Sequence, residues 1–371
     1  MNPSTGRLHY IDNLRWTLII LVIVVHASAT YGPVGGWFYY DRASTDAATG
    51  MILTWIPTVS QTFFMGLMFF LAGYFIPSSL ERKGKSRFVA ERLKRLGIPV
   101  ILFIIMIGPG IVYFLNYYGT SFFDYYLAYL VDPERYQPGP LWFAIVLLIF
   151  TLVYVGVRKH LPILQKRTYG NRELLALGLM MAVGSFMVRI VYPIGSNVWI
   201  MQVPFFFQYV ILFALGIMSK QNGWLDDLPM RAGKIWKYLT IVLAILAWPV
   251  LVFSSGMMDS DYTSFMGGLN WQALALAIWE QTFCVAASVS LLVWYKNRMN
   301  FQSRSTRFLS ENAFAVYFLH APILVVITLL LVNIDLPIIL KFVSAVVLAI
   351  IITYCLCDVL RRSQVFHAVF G

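Results

Sequence analysis

The sequence predicts an all-α fold: a polytopic integral membrane helix bundle of about ten transmembrane helices, both termini cytoplasmic. Three observations predict it. Of 371 residues, 59% are hydrophobic and only 12% charged, with mean hydropathy +0.72, whereas a soluble domain is about one quarter charged. About ten apolar stretches approach the roughly 20 residues that a bilayer span needs. The connections between them alternate in charge.

The stretches fall at roughly 14–33, 57–77, 97–117, 140–157, 174–192, 203–219, 236–254, 271–295, 313–333 and 337–359. Arg189, Pro193, Asn197 and Pro204 interrupt the fifth and sixth. One set of connections holds Arg82, Lys83, Lys85, Arg87, Arg92, Lys94 and Arg95, then Arg158, Lys159, Lys166, Arg167 and Arg172, then Lys220, Arg231, Lys234 and Lys237, then Lys296, Arg298, Arg304 and Arg307. The opposite set holds Asp41, Asp46, Asp124, Asp132, Glu134, Asp259, Asp261 and Asp335, with only Arg42 and Arg135 as counterweights. The positive-inside rule puts the basic set, and both termini, in the cytoplasm. The formal net charge of +11 is therefore topological, and no nucleic-acid partner is expected. No connection is long enough for a separate soluble domain, so residues 1–371 read as one membrane-embedded domain.

The first stretch opens at Asp12 and Arg15 and runs to His26. Ala27-Ser28-Ala29 has the small-x-small pattern of a cleavage site. The charges at the mouth, the histidine at the end and the spans that follow favour an uncleaved helix. Arg15 and His26 are eleven positions apart, about three helical turns, so they share one face with a rise of roughly 16 Å between them. An ionisable group at that depth is a functional candidate. A snorkelling arginine paired with Asp12 accounts for Arg15 alone, and a helix-packing histidine accounts for His26 alone.

Within the second stretch, Gln61 to Phe75 is aromatic-rich, with Gly66 and Gly73 available for close helix approach. Before the third, Arg92-x-x-Arg95 lies beside Arg87 and Lys94 at a cytoplasmic interface. Paired guanidiniums suit phosphate, and the same residues suit a lipid-facing anchor. Pro138-Gly139-Pro140 turns into Leu141-Trp142-Phe143 at the outer side. In the ninth, Ser310 is the expected N-cap and His320 lies ten positions along. Glu280, inside the eighth, needs a partner or a polar cavity, whereas Arg189 and Lys341 are expected to snorkel. Cys284, Cys355 and Cys357 have neither zinc nor disulfide spacing. There is no Walker A loop, HExxH or GxSxG, so ATP-driven transport and zinc or serine hydrolysis lose support, and no metal is expected.

Together these residues resemble the acyltransferase 3 superfamily of polytopic membrane acyltransferases. Arg15 and His26 match its basic-x10-His motif on the first span. Phe63-Phe64 through Ala72-Gly73-Tyr74 is similar to its second-span signature, with Ala72 where serine is usual. Arg92-x-x-Arg95, Leu141-Trp142-Phe143 and Tyr317-x-x-His320 resemble further family segments, over about residues 7–322. The short form resembles the branch containing glucan succinyltransferases. The resemblance implies transfer of an acyl group, acetyl or succinyl, from cytoplasmic acyl-CoA to a hydroxyl of an extracytoplasmic or lipid-linked carbohydrate. It implies a multi-pass protein of the bacterial cytoplasmic membrane, among membrane lipids, with acyl-CoA as co-substrate and no permanently bound cofactor. His26 then serves as general base, Arg15 orients the donor or stabilises the oxyanion, Asp12 holds Arg15, and His320 supports His26. Arg87, Arg92, Lys94 and Arg95 bind CoA phosphates, and Trp37, Tyr40, Trp142 and Glu280 meet the acceptor. The alternative is a transporter or flippase for a glycolipid or small anion, in which the buried ionisable groups form a proton-coupled path.

Overall fold

The computed structural model describes residues 7–41, 45–117, 119–160, 170–198, 201–225, 230–254 and 263–370. Arg42, Lys166, Arg167, Asp259 and Asp261, which enter the loop-charge pattern, lie outside the described residues. The described residues are helical almost throughout, apart from a single isolated bridge between Val198 and Met201. Among the described residues, ten helical stretches are long and apolar enough to cross a membrane: His9–Tyr31, Ala47–Lys83, Lys85–Asn116, Gly139–Val157, Asn171–Val191, Val203–Asn222, Gly233–Phe253, Trp271–Arg298, Arg304–Leu331 and Ile338–Arg361. Each overlaps one predicted stretch. The second, third and ninth extend well beyond the apolar core, because hydropathy marks the hydrocarbon segment and not where helical hydrogen bonding stops. The ninth span begins after Ser303, whose hydroxyl accepts from the Thr306 N–H in a capping box. Ser310 is therefore not the cap. It lies within the helix, and its hydroxyl bonds back to the Arg307 carbonyl.

The chain forms two compact units. The first comprises Met1–Leu14, Gln61–Phe88 and Ile149–Phe301. In it the sixth span packs along Phe64–Lys83, the eighth along the fifth, and the seventh along the eighth. Glycine governs the first of these contacts. A Cβ on Gly73 would lie 2.4 Å from the Phe213 carbonyl oxygen, and one on Gly216 would lie 2.1 Å from that of Phe70. Backbones this close admit no side chain. The second span breaks at Thr62 and Phe63, and the Thr62 carbonyl takes the buried Gln208 amide at 2.5 Å.

The second unit comprises Arg15–Ser60, Val89–Leu148 and Gln302–Gly371, with the ninth and tenth spans packed together. The third span carries two π-turns, Leu93–Gly97 and Phe103–Ile107, each ending two residues before a proline, Pro99 and Pro109. Proline lacks an N–H and its ring crowds the carbonyl four residues back. Widening the preceding turn relieves that clash and keeps the helix going. Carbonyls left in the wide turn find side-chain donors: Tyr129 donates to Ile104 at 2.7 Å and Tyr126 to Ile105 at 3.1 Å. In the first unit the π-turn Leu243–Ala247 precedes Pro249, and Trp279 Nε1–H donates to the Leu243 carbonyl at 2.9 Å.

Candidate active site

His9–Tyr31 is one unbroken helix, so the eleven residues from Arg15 to His26 rise roughly 16 Å. The second unit brings His26 to His320. His26 Nδ1 and His320 Nε2 are 3.0 Å apart. The ring planes differ by 5° and the centroids lie 5.2 Å apart. Near-coplanar rings at that spacing meet edge to edge, as an in-plane N–H···N bond requires, and not face to face.

The other nitrogen of His320 determines the tautomers. His320 Nδ1 lies 2.8 Å from the Tyr317 carbonyl oxygen. A carbonyl only accepts, so Nδ1 carries the hydrogen and, in the neutral ring, Nε2 is the acceptor. His26 Nδ1–H therefore donates to it, which leaves the lone pair of neutral His26 on Nε2. His320 is fully buried and His26 half-buried. One imidazole is thus locked by the protein while the other keeps a basic nitrogen beyond the lock.

Packing holds this pair in place. Tyr317 is buried and its hydroxyl donates to the Pro140 carbonyl, which anchors the ninth span on the Pro138-Gly139-Pro140 turn. Gly139 has φ +50°, and a Cβ there would lie 2.9 Å from both Phe38 Cζ and Phe103 Cε1. Only glycine permits this turn against those rings. Trp142 follows it, half-buried.

From Gly32 to Asp41 the chain returns across the end of the first span. Trp37 lies face-on over His26, with centroids 4.0 Å apart and planes at 17°. Tyr40, whose ring is exposed, accepts the Trp37 backbone N–H at 2.9 Å through its hydroxyl. Asp41 N–H donates to the Thr30 carbonyl at 3.0 Å. The Asp41 carboxylate takes Lys341 Nζ at 3.2 Å, and both side chains are buried. Lys341 also donates to the Val332 carbonyl. Lys341 was expected to snorkel, but its charge is instead neutralised inside the protein. Neither Asp41 nor Lys341 is conspicuous alone, and their pairing spans 300 positions.

The same unit gathers arginines at the other end of the first span. Arg92 is half-buried and lies in the electrostatic field of Arg15 and Arg95, offset in part by Glu91. Guanidiniums brought together against their mutual repulsion suit a multiply charged anion such as a phosphate. The π-turn Leu93–Gly97 begins directly after Arg92 and carries Lys94 and Arg95 within it. Lys94 and Arg95 are exposed.

Asp12, Arg87 and Glu280 belong to the first unit. Asp12 accepts from Arg7 Nε at 2.7 Å. Arg87 is exposed. Glu280 pairs with Arg189 at 2.6 Å, with side chains 5% and 0% exposed. Arg189 also lies 5.1 Å from the Phe205 ring centroid. Arg189, expected to snorkel, is instead among the most enclosed side chains of the protein. Gln208, Tyr209 and Gln281 are fully buried in the same unit, a polar group that sequence reading missed because each falls singly in an apolar run.

A family model described as an acyltransferase domain, that of the acyltransferase 3 family, matches residues 8–362. Glucans biosynthesis protein C from Escherichia coli O139:H28 (strain E24377A / ETEC) is 24% identical over 349 residues, covering 87% of this chain and 84% of the relative. The proteins of that name from E. coli SMS-3-5 and K12 give the same identity and coverage. No solved structure gives a significant match. A family match over nearly the whole length, joined to ten spans and to the basic-x10-His helix, has one consequence: this chain belongs to the acyltransferase 3 family and is a multi-pass membrane acyltransferase.

Proposed function

We propose that the protein is an O-acyltransferase of the bacterial cytoplasmic membrane. It moves an acetyl or succinyl group from cytoplasmic acyl-CoA to a hydroxyl of an extracytoplasmic or lipid-linked carbohydrate. The relatives named for glucan biosynthesis favour a glucan as that carbohydrate. The observation that carries the reading is the hydrogen-bond chain from His26 through His320 to the Tyr317 carbonyl.

A thioester is already activated, so the enzyme must position both substrates and deprotonate the acceptor. His26 Nε2 accepts the hydroxyl proton as oxygen attacks the acyl carbon. The charge that develops on His26 is shared with His320, as a buried partner steadies the imidazolium of a catalytic triad. His320 is thus a positioning residue. Loop charge favours a cytoplasmic location for both termini and for the arginine end of the first span. Arg15, Arg92 and Arg95 then meet the phosphates of CoA, with Lys94 at the rim. His26 lies roughly 16 Å inward, between the donor side and the acceptor side. Trp142 and Tyr40 offer rings to a sugar.

The test uses the full-length protein in liposomes with labelled succinyl-CoA or acetyl-CoA and a glucan oligosaccharide. His26→Ala is expected to abolish transfer while leaving CoA binding intact. Undiminished transfer by a folded His26→Ala protein would refute the base assignment. Arg92→Gln is expected to weaken CoA binding about tenfold or more, the loss of one charge-assisted bond. Unchanged affinity would reduce Arg92 to a topological anchor. Carbohydrate flux without any acyl donor would favour the transporter.

A further inference from the structure

We propose that the indole N–H of Trp37 is the oxyanion donor of the transfer step, an inference that rests on the acyl-transfer reading above. Trp37 Nε1 is buried and has no hydrogen-bond partner. Buried donors are nearly always satisfied, so an orphan beside a reactive group calls for an explanation. An indole N–H can only donate, so whatever completes it must bring an acceptor oxygen.

Its position selects that oxygen. The indole covers the His26 ring at 4.0 Å in a nearly parallel plane, so its N–H edge lies within a ring's width of the imidazole. In acyl transfer the oxygen losing its proton to the base and the oxygen gaining negative charge sit on one tetrahedral carbon. Base and oxyanion donor must therefore be close neighbours, as His26 and Trp37 are. The face of Trp37 against His26 is occupied, so an acceptor oxygen must meet the indole at its N–H edge. The Trp37 ring is also held before substrate arrives. Tyr40 takes its backbone N–H, Asp41 bonds to Thr30, and the buried Asp41–Lys341 pair fastens the strap to the tenth span. A donor fixed in advance costs no reorganisation when charge develops.

The step balances as follows. The acceptor oxygen forms a C–O bond to the thioester carbon and its proton passes to His26 Nε2. The carbonyl π pair moves onto oxygen, which accepts from Trp37 Nε1–H. Collapse restores C=O and breaks C–S, and the sulfur leaves as CoA thiol with the proton returned by His26. Ester and thiol are the products.

The decisive variant carries benzothienylalanine at position 37, a tryptophan isostere with sulfur in place of N–H, in the full-length protein in liposomes. Succinyl-CoA or acetyl-CoA is the donor. Release of free CoA, with and without glucan oligosaccharide, is the readout. Loss of one oxyanion donor should lower kcat by roughly 10²–10³-fold, with the donor KM unchanged. Trp37→Phe, which keeps a ring but no N–H, should lose a similar factor. Wild-type kcat in the benzothienylalanine protein would overturn the proposal, and a loss confined to Trp37→Ala would make Trp37 a packing ring only. Failure of the underlying reading looks different: His26→Ala would then release CoA as fast as wild type.

Discussion

His320→Phe tests the imidazole pair most directly. Phenylalanine fills the buried site but cannot accept from His26 Nδ1–H, which now lies 3.0 Å from His320 Nε2. In the transition state His26 carries the acceptor's proton, so the lost bond is one to a charged group, worth about 1.5–3 kcal/mol. At about 1.36 kcal/mol per tenfold, that is a roughly 10- to 150-fold fall in kcat. Substrates do not contact His320 in this scheme, so both KM values should hold. His320→Gln offers a carbonyl oxygen to His26 and should recover part of the loss. The assay is initial-rate acyl transfer in proteoliposomes, normalised to folded protein. A His320→Phe kcat within about twofold of wild type would refute the positioning role. So would a loss as complete as that of His26→Ala, because His320 would then be the base itself.

The remaining predictions concern stability. Glu280→Ala strands the fully buried Arg189 charge and should cost about 3–5 kcal/mol, measured by unfolding in detergent. The pair replaced by Arg189→Met with Glu280→Met should recover most of it, and a cost below about 1 kcal/mol for Glu280→Ala would contradict a paired, enclosed charge. Gly216→Ala places a methyl 2.1 Å from the Phe70 carbonyl oxygen and should cost about 1–3 kcal/mol. Gly156→Ala, which meets nothing within 4 Å, is the near-neutral control. Burial pushes the Tyr129 hydroxyl up to about 12. The stability it contributes is therefore present below about pH 10, its ordinary value, and is lost as pH rises through about 12. Tyr129→Phe should remove that part of the alkaline unfolding step, and an unchanged alkaline profile would show that this phenol does not set it.

Much of this protein was legible in one dimension. All ten spans overlap the apolar stretches read from sequence, because a bilayer acts on hydropathy residue by residue. The helix of Arg15 and His26 followed from spacing, since an unbroken helix fixes the relation of residues eleven apart. The break at Phe63 and the π-turns before Pro99, Pro109 and Pro249 were not anticipated. Their prolines were visible, yet a proline can be met by a kink, a stop or a widened turn, and neighbouring donors such as Tyr129 and Trp279 decide which.

The sequence by itself determined the membrane architecture, the family motif on the first span and the candidate status of His26 and His320. Only the tertiary structure decided that the two histidines meet, across 294 positions, and that a backbone carbonyl sets which nitrogen is basic. It also turned Lys341 and Arg189 from snorkelling residues into members of buried ion pairs, and moved the ninth helix cap from Ser310 to Ser303. The reason is that hydropathy and periodicity are properties of each segment alone. The partner of a buried polar group is chosen by helix packing, through contacts such as Gly139 against Phe38 and Phe103 that no single segment contains.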